Sequence, residues 1–298
     1  MNFFFEVLIG GLLSGVMYAL VAIGFVLIYK ASGVFNFAQG AMVFFAALTC
    51  VGMVDKWHLP LGLAIPLTVA AMVILALAIE RVVLRPLVNQ PEISLFMATI
   101  GLAFFIEGLA QLMWGSNVHK LELPIEDVPN EYLMDKFSII VSQFDMAAAG
   151  ICAILVTALA LLFSKTRVGR ALRAVADDHQ AALAVGIPLQ RIWAIVWSVA
   201  GMVALVAGLL WGARNGVQFA LTFIALKALP VLILGGFTSV PGAIVGGLII
   251  GASEKLAEVY LGPMVGGGIE GWFPYVLALL FLLVRPEGLF GEKIIRRI

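Results

Sequence analysis

Charged side chains are scarce in the apolar runs of this 298-residue chain, and one of them could do chemistry there. Lys227 lies inside a predicted membrane span, where a central lysine costs about 2.5–3.5 kcal/mol on insertion. An acidic side chain, backbone carbonyls or a wet cavity must offset that cost, and Glu107 and Glu254 are the acidic candidates in other predicted spans. The ammonium group could bind a solute carboxylate, form a gating ion pair or serve a purely structural pair.

A charged segment over residues 164–191 is the second candidate, because it is set between two apolar runs. Between Gly169 and Val185, four apolar residues share one face of a predicted short amphipathic helix: Leu172, Val175, Ala176 and Leu183. Gly186 is placed to end this helix, because glycine tolerates the left-handed backbone past a helix cap. The helix could lie in the lipid headgroups or dock on a soluble partner.

Amides and glycines within the apolar runs form a third group. Asn36 and Gln39 open the second predicted span, where they could line a cavity or tie helices together. A break between two later spans could line a conduit or could simply allow close helix packing, and its residues are Gly235, Gly236, Pro241 and Gly242. The pairs Gly242–Gly246 and Gly247–Gly251 have the GxxxG spacing that brings membrane helices close.

The elements that position these residues are membrane spans. Hydrophobic residues make up 62% of the chain and charged residues 12%, which is about half the charged fraction of a soluble domain. The predicted fold is therefore an all-α polytopic transmembrane helical bundle of eight or nine spans, forming one integral-membrane domain over 1–298 with an outer loop over 115–143. The seventh and ninth spans are short, which predicts short or broken helices near the middle of the membrane. The predicted spans are Val7–Tyr29, Phe35–Val54, Leu61–Ile79, Ile93–Trp114, Phe144–Phe163, Ile192–Gly212, Phe223–Phe237, Gly242–Leu261 and Trp272–Val284.

The basic residues predict the orientation of these spans. With the amino terminus outside and the carboxyl terminus in the cytoplasm, only four of the 18 Lys and Arg residues lie outside: Lys56, Lys120, Lys136 and Arg214. Two more lie within spans, and the remaining twelve face the cytoplasm, as the positive-inside rule requires. The segment 164–191 is then cytoplasmic, and Glu80, Arg81 and Arg85 flank the third span on the same side.

Enzyme and metal chemistry find no support in the sequence. It contains no GxxxxGK[ST] phosphate-binding loop, so any ATP would be hydrolysed by another subunit. The two cysteines, Cys50 and Cys152, lie in apolar runs and the three histidines lie between the predicted spans, so no metal-binding cluster is indicated. No basic block indicates nucleic-acid binding. We therefore predict no catalytic residue and no metal ligand.

Several stretches together resemble the permeases of branched-chain amino acid ABC transporters, specifically the LivH-like subunit. The segment GRALRAVADDHQAALAVGIPLQRI is similar to the signature loop of that family. The strings GGLLSGVMYALVAIGFVLIYKASGVFNFAQG, ERVVLRPL and LKALPVLILGGFTSVPGAIVGGLIIGASE resemble three of its other elements, in the same order, from about Gly10 to Gly288. The chain departs from the family pattern at Gln39, at Pro230 and in the outer loop, which bears on the solute more than on the family.

The resemblance implies a non-catalytic subunit in the bacterial inner membrane. Its expected partners are a LivM-like second permease, two cytoplasmic ATPase subunits and a periplasmic solute-binding protein, besides membrane lipid. It implies that ATP and Mg²⁺ bind the partner subunits and that this chain binds no cofactor. The solute would be a branched-chain amino acid, urea or an amide, or an aromatic or other organic acid.

The resemblance also assigns roles to residues of this chain. The cytoplasmic helix would be the coupling helix that seats in a groove of an ATPase, and its expected contact residues are Arg170, Leu172, Arg173, Asp177, Asp178, Ala181, Leu183 and Gly186. The expected translocation path includes Asn36, Gln39, Glu107, Lys227, Gly235, Gly236, Pro241 and Gly242. A stand-alone secondary transporter or facilitator is the alternative from another class, and co-purification of an ATPase would separate the two.

Overall fold

A computed structural model describes residues 2–88, 90–177 and 179–291 of the chain. These residues form thirteen α-helices with four short 3-10 or π-helical turns, and they contain no strand beyond two isolated bridges. The helices are α1 Asn2–Ser32, α2 Gln39–Trp57, α3 Leu61–Ile79, α4 Glu92–Trp114, α5 Glu131–Phe137, α6 Gln143–Lys165, α7 Arg167–Asp177, α8 His179–Ala184, α9 Leu189–Asn215, α10 Ile224–Gly235, α11 Val240–Tyr260, α12 Gly262–Val265 and α13 Phe273–Val284.

The all-α bundle predicted from the sequence is confirmed. Among the described residues, seven helices are long and apolar enough to cross a membrane. The two predicted short spans correspond to shorter apolar helices over Phe219–Gly235 and Phe273–Val284. The outer faces of α3 and α4 carry exposed apolar side chains such as Ile74 and Phe104, which are 66% and 72% exposed. In a protein of this composition such faces are suited to lipid.

The second predicted span begins later than expected. The sequence predicts a start at Phe35, whereas α2 begins at Gln39. The cause is local: α1 ends at Ser32, Gly33 adopts a φ of +72°, and the Asn36 side chain then accepts a hydrogen bond from the Ala38 N–H at 3.1 Å. Asparagine favours such turns because its side chain substitutes for a backbone acceptor.

The described residues form two compact units, and α1, α6 and α10 each contribute residues to both. The second unit, Gly24–Glu122 with Leu159–Ala225, contains α2, α3, α4 and α9. Within it, α2 is buried on every face from Gln39 to Met53, as expected of a helix that is apolar all round. Two indole groups tie this unit together, because Trp193 donates to the Ala31 carbonyl at 2.9 Å and Trp114 donates to the Thr49 hydroxyl at 3.2 Å.

The first unit, Met1–Ile23 with Leu123–Ala158 and Leu226–Ile298, contains α11 and the amino-terminal part of α1. Its central feature is a close approach of these two helices along their glycines. A Cβ atom built on Gly11 would lie 2.7 Å from the Gly251 carbonyl oxygen, and one on Gly15 would lie 2.5 Å from that of Gly247. Only glycine lets two backbones approach this closely, and the predicted spacing of Gly247 and Gly251 is thereby explained.

Candidate functional site: a buried ion pair and a polar helical segment

An ion pair lies within the first unit, where α10 meets α11. The Lys227 ammonium of α10 is 2.9 Å from Glu254 Oε1 of α11. The Tyr18 hydroxyl of α1 donates to the same oxygen at 3.2 Å, and the ammonium lies 5.8 Å from the centroid of the Tyr18 ring. Three helices therefore supply one polar cluster.

The two charges of this cluster differ strongly in exposure. The Glu254 side chain is 2% exposed, whereas that of Lys227 is 35% exposed. The carboxylate is thus held by its two protein donors, while the ammonium retains an accessible side. An exposed cation backed by a buried counter-charge can accept a carboxylate ligand without leaving its first partner.

Of the two predicted acidic partners of Lys227, Glu254 forms the ion pair. Glu107 lies on α4 in the second unit, where its side chain is half-buried. Tyr18 is the member of the cluster that the sequence analysis missed. Its spacing held a signal, because Gly11, Gly15 and Tyr18 recur at intervals of four and three residues and so share one helical face.

The break predicted between the seventh and eighth spans is present. The helix α10 ends at Gly235, Gly236 adopts a φ of +102°, and α11 begins at Val240. The Ser239 hydroxyl caps α11 by accepting from the Gly242 N–H at 3.0 Å, and Pro241 occupies the first turn. The backbones of Gly235 and Gly242 are in direct contact, since a side chain on either would overlap the other.

Asn36 and Gln39 are fully buried at the start of α2. Asn36 Nδ2 lies 3.4 Å from Gln39 Oε1, so the two predicted amides interact with each other. The Gln39 amide packs against Gly24, while its own Nε2 has no hydrogen-bond partner among the described residues. The Gln39 side chain of α2 thus packs closely against the backbone of α1.

The polar segment predicted as one helix over Gly169–Val185 is helical over α7 and α8. The apolar stripe is present on α7, where Leu172 and Val175 are buried at 2% and 0% exposure. The predicted termination is also present, because Gly186 has a φ of +84° and the Ile187 N–H donates back to the Ala182 carbonyl at 2.9 Å. Asp178, one of the predicted contact residues, lies outside the described residues.

The predicted face is wrong for Leu183. On α8 the buried residue is Ala182, at 3% exposure, whereas Leu183 is 48% exposed. Ala182 follows Val175 by two helical turns and is buried like it, although Leu183 would lie closer to the angle of Leu172 on one ideal helix. Leu172 packs inside this protein, whereas Leu183 is an exposed apolar side chain, as is Val185 at 75% exposure.

The polar residues of α7 also make contacts within the protein. Arg170 and Arg173 are exposed, as expected, but Arg173 donates to the backbone carbonyls of Phe163 and Ser164, at 2.6 and 3.4 Å. These carbonyls lie at the end of α6, where the last carbonyls of a helix need hydrogen-bond donors from outside the helix. Asp177 and Ala181 are exposed.

Comparison with known proteins identifies the family. The family described as "Branched-chain amino acid transport system / permease component" matches residues 7–285. The chain belongs to this family. Its members are transport components, so the permease class inferred from the sequence is confirmed and an enzyme is not indicated.

Similar proteins extend over almost the full length of the chain. The LivH permease of the high-affinity branched-chain amino acid transport system of Salmonella typhimurium is 29% identical over 99% of this chain and 98% of its own length. The corresponding BraD protein of Pseudomonas aeruginosa is 30% identical over the same shares. A probable LivH protein of Methanocaldococcus jannaschii is 26% identical over 96% of this chain and 92% of its own. The LivH-like resemblance is thereby confirmed.

Proposed function

We propose that this chain is the permease subunit of an ATP-driven importer of branched-chain amino acids or related small solutes in the inner membrane. Membership of the permease family carries this proposal, and the nearly full-length similarity to LivH and BraD supports the solute class. The amino terminus lies outside and the carboxyl terminus in the cytoplasm. The partners are a LivM-like permease, two ATPase subunits that bind ATP and Mg²⁺, and a periplasmic solute-binding protein.

The segment α7–α8 couples ATP hydrolysis to transport in this proposal. Its inner stripe, Leu172 and Val175, fixes the segment to its own protein. Leu183 is exposed and contacts an apolar site on the ATPase in this proposal, and the exposed residues Arg170, Arg173, Asp177 and Ala181 contribute further contacts, while Gly186 sets the turn into α9. Asp178 remains an expected contact from the sequence. Protein interfaces commonly have an apolar centre and a polar, solvent-accessible rim, and Leu183 would belong to such a centre.

Substitution at Leu183 tests this coupling. We expect Leu183→Asp to abolish co-purification of the ATPase and solute-stimulated ATP hydrolysis, because it places a charge in an apolar contact. Val118→Asp is the matched control, since Val118 is also exposed, at 65%, but lies in the predicted outer loop. Normal ATPase association in Leu183→Asp would refute the coupling role. Solute uptake by the chain alone in ATP-free vesicles would instead favour a facilitator and refute the importer.

We also propose that Lys227 contacts the solute. The translocation path then runs past its accessible ammonium and the break formed by Gly235, Gly236, Pro241 and Gly242, with Asn36, Gln39 and Glu107 as further expected members. Every α-amino acid carries a carboxylate and an ammonium group. The Lys227 ammonium, paired with Glu254, has an accessible side that can bind the carboxylate. The variants that separate this role from a structural one are described in the Discussion.

A further inference from the structure

An open cavity of about 600 Å³ lies within the second unit, between the end of α3 and the start of α9. Glu80 and Arg85 line one side, and Gln190 and Arg191 line the other. Gly186 also borders the cavity, so its wall is continuous with the turn that ends α8. The proposed orientation, on which this inference rests, makes the cavity accessible from the cytoplasm.

The Glu80 carboxylate is an anomaly in this cavity. Its side chain is only 8% exposed, and its Oε1 has no hydrogen-bond partner among the described residues. The nearest cation is Arg85 Nε at 3.7 Å, which is beyond hydrogen-bond distance. A buried carboxylate that lacks a donor on one oxygen is costly, so a cation placed beside Glu80 in the cavity would be favourable. Glu80 also begins a π-helical turn over Glu80–Leu84, a local widening that is frequent at functional sites.

Two guanidinium groups accompany this carboxylate. Arg85 Nη2 donates to Gln190 Oε1 at 2.9 Å, which joins the end of α3 to the first turn of α9 and fixes the arginine in place. Arg85 nevertheless remains 45% exposed, and Arg191 is exposed on the next helical position after Gln190. Guanidinium groups bind carboxylates and phosphates through paired hydrogen bonds. The cavity thus offers one acceptor for a cation and two donors for an anion.

We propose that this cavity binds a zwitterion, with its ammonium group on Glu80 and its anionic group on Arg85 and Arg191. A free α-amino acid has this chemistry, and so does the ethanolamine phosphate headgroup of a phospholipid. A ligand in the cavity bridges α3 to the turn at Gly186. It thereby restrains the segment α7–α8, so an amino acid accumulated in the cytoplasm slows ATP hydrolysis.

Binding to the complete transporter tests the site. The complex is placed in nanodiscs of phosphatidylglycerol alone, and L-leucine, 4-methylpentanoate and isoamylamine are titrated by calorimetry. We expect the two single-charge analogues to bind at least about tenfold more weakly than leucine, since each loses one charge-assisted contact. Glu80→Gln should weaken leucine binding by a similar factor. Glu92→Gln, which alters an exposed glutamate in the same unit, should leave it unchanged.

A second variant keeps the test decisive if Glu80→Gln fails to fold. Arg191→Gln changes an exposed residue and should weaken leucine binding while leaving the affinity for isoamylamine unchanged. Equal leucine affinity in wild type, Glu80→Gln and Arg191→Gln would overturn the proposal, unless the lipid is the ligand. In that case phosphatidylethanolamine remains bound to wild type and not to Glu80→Gln in native mass spectrometry.

Two other outcomes are informative. If Glu80→Gln releases the ATPase subunits while neither zwitterion binds wild type, the cavity receives a protein side chain and the proposal is wrong. Uptake driven by the binding protein tests the proposed function separately. A permease that imports normally but binds no zwitterion in the cavity would overturn only this inference.

Discussion

Replacing Lys227 by methionine should destabilise the protein through the carboxylate that it leaves behind. Glu254 is 2% exposed, so the variant loses the 2.9 Å ion pair and keeps only the Tyr18 hydrogen bond. Removing one partner of a buried pair costs about 3–5 kcal/mol, and we expect about 3 kcal/mol because Tyr18 remains. Glu254→Gln should cost only about 1 kcal/mol, since the lysine side chain is 35% exposed and stays partly hydrated.

The double variant Lys227→Met/Glu254→Gln separates stability from transport. It contains no unpaired buried charge, so it should cost about 2 kcal/mol, which corresponds to a coupling free energy of about 2 kcal/mol between the two residues. Denaturation by SDS in mixed micelles, followed by tryptophan fluorescence, measures the three values. Strictly additive single effects would refute the assigned ion pair.

Transport by the same double variant tests the proposed role of Lys227. The measurement is ATP-dependent leucine uptake into proteoliposomes with the binding protein. If Lys227 receives the solute carboxylate, uptake should fall at least about tenfold although the double variant is more stable than Lys227→Met, because the solute loses a charge-assisted hydrogen bond. Uptake within threefold of the wild type would mean that the pair is structural only.

Two glycine substitutions test the backbone contacts. Gly15→Ala should destabilise the protein by about 1–3 kcal/mol because its Cβ would lie 2.5 Å from the Gly247 oxygen. Gly10→Ala is the control and should be neutral or stabilising, because its Cβ would have no atom within 4 Å. Equal effects of the two variants in the SDS assay would contradict the close packing. Gly186→Ala should cost about 1–2 kcal/mol from its φ of +84° and increase amide exchange in α8, and Gly150→Ala in α6 is its control. Unchanged exchange in α8 would contradict the assigned turn.

Much of the fold can be predicted from the sequence because each helix is specified by its own residues. The spans and the end of α8 at Gly186 are local consequences of apolar length and glycine geometry. The Lys227–Glu254 pair could be narrowed to two candidates because few acidic side chains occur in the spans, but the choice between them depends on tertiary packing. The later start of α2 required an Asn36 side-chain contact that no periodicity reveals.

The polar segment shows the limit of periodicity more clearly. Leu172 and Leu183 are equally compatible with one face of an ideal helix, yet one is buried and the other exposed. Which side of a short helix continues a buried stripe depends on the helices beneath it. The unpaired oxygen of Glu80 was likewise invisible in the sequence, because it results from the absence of a donor in the folded protein.

The backbone contact between α1 and α11 limits how this protein can move. Two helices that pack through side chains can slide a little, because the side chains can change rotamer. Gly11 and Gly15 instead contact the opposing backbone carbonyls directly. These stretches of α1 and α11 therefore behave as one rigid body. A pair of spin labels, one at the amino-terminal end of α1 and one at the carboxyl-terminal end of α11, should report the same separation in the resting, solute-loaded and nucleotide-bound transporter. The labelled pair is then a fixed reference against which the motion of other helices can be measured.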